Sequence, residues 1–211
     1  MPWKLDQFGM RPDNMQFCYY QGDGVDYHKV YREYDWAHGM HATRGKEPPV
    51  AADPIKITQH TGPKKLPDYF YGATSGTIVV SRRFRDLVEK FDPVQHLSIP
   101  CEIYEKKSGE AKDGEYFVFK PLGFLKNGIV VEESDVKESI NPKTGKIFEY
   151  ETTGTPPRLM WRQSVIAGRH IWADPMLHRA VVVSDALQEA MVAGGVTGMQ
   201  WHESRISEKF L

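Results

Sequence analysis

"IVVSRRFRDLV", residues 78 to 88, and "VVVSDALQEAM", residues 181 to 191, are one phrase written twice. Three β-branched residues in succession favour a short strand. The serine that follows suits a helix N-cap, because its hydroxyl oxygen can accept a backbone N–H two or three residues further on. After Ser81 come Phe84, Leu87, Val88 and Phe91, spaced as one helical face, and after Ser184 come Leu187, Ala190 and Met191. Asp92 and Pro93 end the first helix before the strand-like "HLSIPCEIY", and Gly194 and Gly195 offer a left-handed stop before "VTGMQW". Each copy predicts strand, Ser-capped helix, strand. A nucleophilic serine on a nucleophile elbow needs small flanking residues, whereas Val precedes both serines and Arg or Asp follows them.

The stretch between the copies reads mainly as β. "EYFVFKPLGFL" is an apolar strand and a turn, "VKESINPKTGKIFEYE" is a hairpin by its turn residues, and "RLMWRQSVIAGRHIWAD" holds two apolar runs meeting at Gly168. Successive strands with few, separated helices predict an α+β fold, a mainly antiparallel sheet carrying the two similar strand–helix–strand units. Upstream, "MQFCYYQGDGVDYHKVYREYDW" opens like a strand that "GDG" breaks. The proline-rich residues 45–67 read as a long surface connection with no long regular element. Residues 1–211 therefore suit one domain, with 1–65 as an N-terminal subdomain or extension and 66–211 as the core.

At 211 residues, 40% hydrophobic and 26% charged, the chain has the make-up of a globular protein. Its net charge of −1 supplies no global field toward nucleic acid or an anionic membrane. Residues 1–14 lack a basic start followed by an apolar run, so no signal peptide is expected, no apolar stretch is long enough to span a bilayer, and a cytoplasmic location follows. Cys18 and Cys101, in apolar strand-like surroundings, read as buried free thiols.

Signals for catalysis are thin. His38 and His41 have a chelating spacing but lack the glutamate and third ligand of a metalloprotease motif. His170, His178 and His202, with Asp174 near the first two, are the residues a small hydrolase or nucleotide-processing enzyme would use, yet they match no ligand pattern. "GATSGT" lacks the lysine and spacing of a P-loop, and the short basic runs Lys64–Lys65, Arg82–Arg85 and Lys106–Lys107 are interrupted by acids. Neither a cofactor nor a metal is expected.

Two stretches suit protein binding better. Between Phe17 and Trp36 aromatic residues are dense and interleaved with acids, the chemistry of interface anchors as well as of an aromatic core. "EESDVKE", 132 to 138, is an acidic run that reads as a solvated loop or as an anionic contact surface. Partner contacts are accordingly expected at Tyr27, Tyr31, Tyr34, Asp35 and Trp36, with Glu132, Glu133 and Asp135.

"GTIVVSRRFRDLVEKFDPVQHLSIPCEI" resembles the middle motif of a bacterial immunity-protein family, the eleventh catalogued among polymorphic toxin systems, at Ser81, Leu87 and Pro100. "YFVFKPLGFLKNGIVVEESDV" is similar to its central strand. "AGRHIWADPMLHRAVVVSDALQEAMVAGGVTGMQWHE" is similar to its closing motif at Gly168, Ile171, Trp172, Ser184, Gly195, Gly198 and Trp201. The likeness spans about residues 66–205, with Trp172 and Trp201 standing where the family usually has Phe. These motifs are core and turn residues, and the family brings no catalytic set to transfer. The resemblance implies a cytoplasmic antidote that binds and blocks a cognate secreted toxin encoded beside it; the near-neutral charge and the lack of a spanning stretch give no expectation of a nucleic-acid or membrane partner, and an adaptor module without a toxin is the other non-catalytic reading.

Overall fold

A computed structural model describes residues 2–7, 16–20, 22–26, 54–72, 78–93, 96–121, 125, 127–154, 157–174, 176–177 and 181–207. Its strands are β1 (Trp3–Gln7), β2 (Gln16–Tyr19), β3 (Ile55–Thr61), β4 (Tyr69–Tyr71), β5 (Ile78–Ser81), β6 (Leu97–Glu105) and β7 (Tyr116–Lys120). They continue as β8 (Val136–Ile140), β9 (Ile147–Thr152), β10 (Met160–Trp161), β11 (Ile171–Ala173), β12 (Val181–Val183), β13 (Met199–Glu203) and β14 (Arg205–Ile206). The helices are α1 (Arg82–Phe91), α2 (Gln163–Ile166) and α3 (Asp185–Ala193). The fold is α+β.

A six-stranded sheet has the order β2-β3-β6-β7-β5-β4, and a four-stranded sheet the order β11-β12-β1-β13. The doubled phrase seeds both. Strands β5 and β6 of the first copy are not neighbours, because β7 lies between them, antiparallel to each. Strands β12 and β13 of the second copy flank β1 in the same way. Each copy is thus a split strand–helix–strand unit, with a third strand in the gap its helix bridges.

Helices α1 and α3 run antiparallel. Arg83 in the first turn of α1 donates to the carbonyls of Gly194 (3.5 Å) and Gly195 (3.3 Å) beyond the end of α3. At the opposite end Asp92, just past α1, accepts from the backbone N–H groups of His170 (3.3 Å) and Ile171 (3.4 Å), beside the start of α3. Phe84, Val88, Leu187 and Met191 share one core with Ile78, Val80, Phe117 and Phe119 of the first sheet and Ile171, Val181 and Val183 of the second. The other face of the six-stranded sheet buries Ile57, Phe70, Val79, Ile99 and Val118, and the other face of the four-stranded sheet buries Trp172 and Val182 against Leu159, Trp161 and Leu177. Both faces are therefore covered, which is why "VVV" runs without alternation: Val181, Val182 and Val183 are all buried.

The sheets meet where Tyr69 N–H of β4 donates to the Thr197 carbonyl (3.1 Å) just before β13. Gly198 stands at that junction with φ +92, and a Cβ there would come within 2.2 Å of the Tyr69 oxygen. Only glycine has both the missing side chain and the freedom for this conformation.

One expectation from sequence is overturned. Within residues 45–67, Ile55–Thr61 is a seven-residue strand, parallel to β6, with Ile55, Ile57 and Gln59 buried. Pro54 and Pro63 flank this run and do not interrupt it, so the ladder lacks no donor inside the strand. A smaller change falls in 158–174, where the helix α2 separates the two apolar runs and Gly168 takes φ +74. The N-terminal section is woven into both sheets: β1 belongs to the four-stranded one, β2 and β3 to the six-stranded one.

Candidate functional site

The two serines sit at equivalent places with ordinary extended backbones, Ser81 at φ −74, ψ 164 and Ser184 at φ −72, ψ 162. That is not the strained turn of a nucleophile elbow. Ser81 Oγ accepts from Phe84 N–H (3.3 Å) and donates to Asp68 Oδ1 (2.6 Å). Asp68 Oδ2 in turn accepts from the Thr197 backbone N–H (2.9 Å) and hydroxyl (2.9 Å), which ties the first cap to the strand entry of the second unit. Ser184 Oγ accepts from Leu187 N–H (3.3 Å) and lies 2.9 Å from His170 Nδ1.

A serine beside a histidine invites a catalytic reading, but Ser184 Oγ is engaged by the Leu187 N–H of its own helix, and His170 packs edge-on against Phe91 at 5.5 Å. His202 is half-buried on β13. His38, His41 and His178 lie outside the described residues. Asp174 is buried and accepts from Met176 N–H (2.8 Å) and Ile129 N–H (3.3 Å); burial raises its pKa above the usual carboxylate range. Among the described residues no group of three His, Cys, Asp or Glu gathers as a metal would need.

The acidic run is held in shape. Glu132 and Glu133 occupy a single 3-10 turn, Val131–Glu133, with Glu132 exposed and Glu133 half-buried. Ser134 Oγ donates to the Val130 carbonyl (2.7 Å) and accepts from Met160 N–H (2.9 Å). Asp135 accepts from Arg158 N–H (2.9 Å) and pairs with its guanidinium (3.3 Å). Glu132 is exposed and Asp135 keeps part of its carboxylate in solvent while it holds Arg158, two residues before β10.

Tyr27, Tyr31, Tyr34, Asp35 and Trp36 lie outside the described residues. The start of their section is described: Phe17 stacks on Phe70 (5.1 Å), Tyr20 leans on Tyr104 (4.7 Å), and Asp23 pairs with Lys56 (3.2 Å). Tyr104 donates to Glu102 (2.7 Å), whose carboxylate pushes the phenol up to about 12. Strand β2, which precedes residues 27–53 in sequence, is the edge strand of the six-stranded sheet. Residues 132–135 instead border the core beyond the four-stranded sheet, where Val131 and Val136 pack.

Two features were not foreseen from sequence. Cys18 is half-buried, not buried, with Sγ 2.7 Å from His60 Nε2, and His60 Nδ1 is 3.3 Å from Lys106 Nζ; burial pushes the Cys18 thiol up. Cys101 is buried as expected and both thiols are free. The second is a groove of about 910 Å³ walled by residues 63–68, 105–116 and the end of α3, where Lys64, Lys65 and Lys112 face Glu105, Glu110 and Asp113. Charges of both signs line it, so it selects no single ligand charge. Local sequence carried no signal for either feature, since each joins segments distant along the chain.

No helix among the described residues is long and apolar enough to cross a membrane. A family model described as Immunity protein family (Imm11) matches residues 21–205. No curated protein matches the chain.

Proposed function

The chain belongs to the Immunity protein family (Imm11), and on that premise we propose that it is a cytoplasmic antidote which binds a cognate toxin, encoded nearby, and neutralises it by stoichiometric occlusion without turnover. The family match over residues 21–205 carries this reading. The engagement of Ser81, Ser184, Asp92 and Asp174 in capping and bracing supports it, since these polar groups hold the scaffold together. Co-expression with the adjacent toxin gene is expected to restore growth, and the purified pair to migrate as an equimolar complex. Failure of the pair to associate in solution removes the reading.

We assign the contact to two patches, the aromatic section with Tyr27, Tyr31, Tyr34, Asp35 and Trp36, and the acidic turn with Glu132, Glu133 and Asp135. Aromatic anchors supply affinity, and carboxylates speed association with a basic cleft. Trp36→Ala is expected to weaken binding by about 2 kcal/mol with an unchanged melting temperature. Charge reversal at Asp35, Glu132 and Glu133 is expected to slow association and flatten its salt dependence. Unfolding of Trp36→Ala would place that indole in the core and not at the interface.

A further inference from the structure

Among the described residues the β8–β9 hairpin forms a two-stranded sheet of its own, tied outside it by one bridge from Tyr150 to Leu177. Isolated two-stranded hairpins are marginal in water, so this one must be held by its ends. Its base is locked: Val136 and Tyr150 pack into the core beyond the four-stranded sheet, Thr153 N–H donates to the Asp135 carbonyl (2.8 Å), and Lys137 pairs with Glu151 (2.7 Å). Its tip is pre-shaped. Asn141 Oδ1 accepts from Lys143 N–H (2.9 Å) and Thr144 N–H (3.3 Å), Asn141 N–H donates to the Lys146 carbonyl (2.9 Å), and Gly145 takes φ +66.

On this rigid tip the cross-strand pair Ile140 and Ile147 is 54% and 38% exposed. Single exposed apolar side chains are ordinary. Here two face each other at the end of an arm that nothing covers among the described residues. Between Ser139 and Phe148 the only charged residues are Lys143 and Lys146, so the tip is cationic on a chain of net charge −1.

We infer that this hairpin is a binding arm whose tip enters an apolar depression rimmed by carboxylates on the toxin. The inference rests on the antidote reading and names the element that makes the contact. The acidic turn with Glu132 lies at the root of the arm, so the arm presents carboxylate at its base and ammonium at its tip, and one partner must complement both in a fixed register. A turn already in its bound shape loses little conformational freedom on docking.

The test uses the purified toxin domain encoded beside this chain, with wild-type protein, the double variant Ile140→Thr/Ile147→Thr, and the double variant Lys143→Glu/Lys146→Glu. Threonine keeps the β-branched preference of the strand while removing apolar contact. Wild type binds; the threonine pair is expected to weaken affinity roughly 30-fold or more, as loss of an anchor does. The glutamate pair is expected to slow association about tenfold at low salt, with the difference vanishing at high salt. Melting temperatures should stay near wild type, and because Lys143 and Lys146 are fully on the surface, the second variant reports even where the first loses its hairpin. If wild type binds and both variants bind equally well, the arm is refuted while the antidote reading stands. If wild type does not bind, both fall. If the tip binds vesicles of anionic phospholipid and the variants lose that binding but keep the toxin, the arm is a membrane contact and the inference is overturned.

Discussion

In the first split unit the strand seated between β5 and β6 is β7, which follows β6 after the ten-residue connection 106–115. In the second, the strand between β12 and β13 is β1, drawn from the opposite end of the chain, and Trp3 of β1 donates to Asp185 of α3 at 2.7 Å. The two units share phrase, cap and helix position, yet one is completed by its own neighbourhood and the other by a distant segment. A strand–Ser–helix phrase specifies the cap and the buried face because both are local. It leaves a gap in the sheet, and any strand with a suitable pattern can fill it. The fillers differ accordingly: β7 brings Phe117, Val118 and Phe119, all buried, whereas β1 brings the half-buried Trp3.

The sharpest way to break the comparison is at the junction. Gly198→Ala places a methyl 2.2 Å from the Tyr69 carbonyl and 2.7 Å from Pro67 Cβ at a backbone angle of φ +92. A loss on the order of 5 kcal/mol is expected, enough to prevent folding at 37 °C, with soluble yield and urea unfolding as the checks. No glycine in the first unit is so placed, and tolerance of alanine at 198 would mean that the sheets do not meet there. Next are the residues three positions after each cap serine. Phe84→Ala should cost about 4 kcal/mol and Leu187→Ala about 3 kcal/mol, since both are fully buried in one shared core. A small loss at Leu187 with a large one at Phe84 would show that the second unit contributes little to that core.

The caps come third. Ser81→Ala and Ser184→Ala should each lower unfolding free energy by about 1 kcal/mol, read from the urea midpoint. Ser81 should be the costlier, because its second partner is the Asp68 carboxylate at 2.6 Å, whereas that of Ser184 is the His170 ring at 2.9 Å. The smallest expected effect separates the surroundings of the two sheets by sign. His96, between α1 and β6, has its pKa lowered by burial despite nearby Asp92, so the unfolded chain takes up its proton more readily and stability from this group is lost as pH falls below about the usual 6.5. Asp174, after β11, has its pKa raised by burial, so its protonated form favours the fold; that contribution is full below the usual 3.8 and is lost as pH rises through the raised value. His96→Gln should therefore flatten the stability profile on the weakly acidic side of neutrality, and Asp174→Asn should flatten it nearer the carboxylate range.

Much of the scaffold was legible because its signals are short-range. The β-branched triplets, the serine after each and the apolar spacing of Phe84 and Leu187 all act within one helical turn. The NPKTGK turn betrayed its hairpin through Asn141 and Gly145. The strand at Ile55–Thr61 was lost among prolines, whose presence nearby weighed more than the alternation of Ile55 and Ile57. The role of β1 could not be read at all, since "WKLDQ" has no marked pattern and its meaning depends on partners at 181–183 and 199–203. For the candidate site the limit is similar. The composition of residues 27–36 flags interface chemistry, but which apolar side chains remain uncovered, as Ile140 and Ile147 do, depends on the neighbours that tertiary structure supplies or withholds.

The seating of β1 also sets a clock. Trp3 and Asp185 stand 182 positions apart, and a ribosome adding roughly 5–20 residues per second needs about 10 to 40 seconds to cover that distance. During this interval the first unit can close on β7, while β1 waits unpaired and β12 and β13 do not yet exist. A chain released before residue 181 would carry a six-stranded sheet whose α1 side lacks its partners Val181, Val183, Leu187 and Met191, with β1 waiting and no second sheet. The second sheet therefore closes only once β12 and β13 have been made, a delay written into the order of its strands.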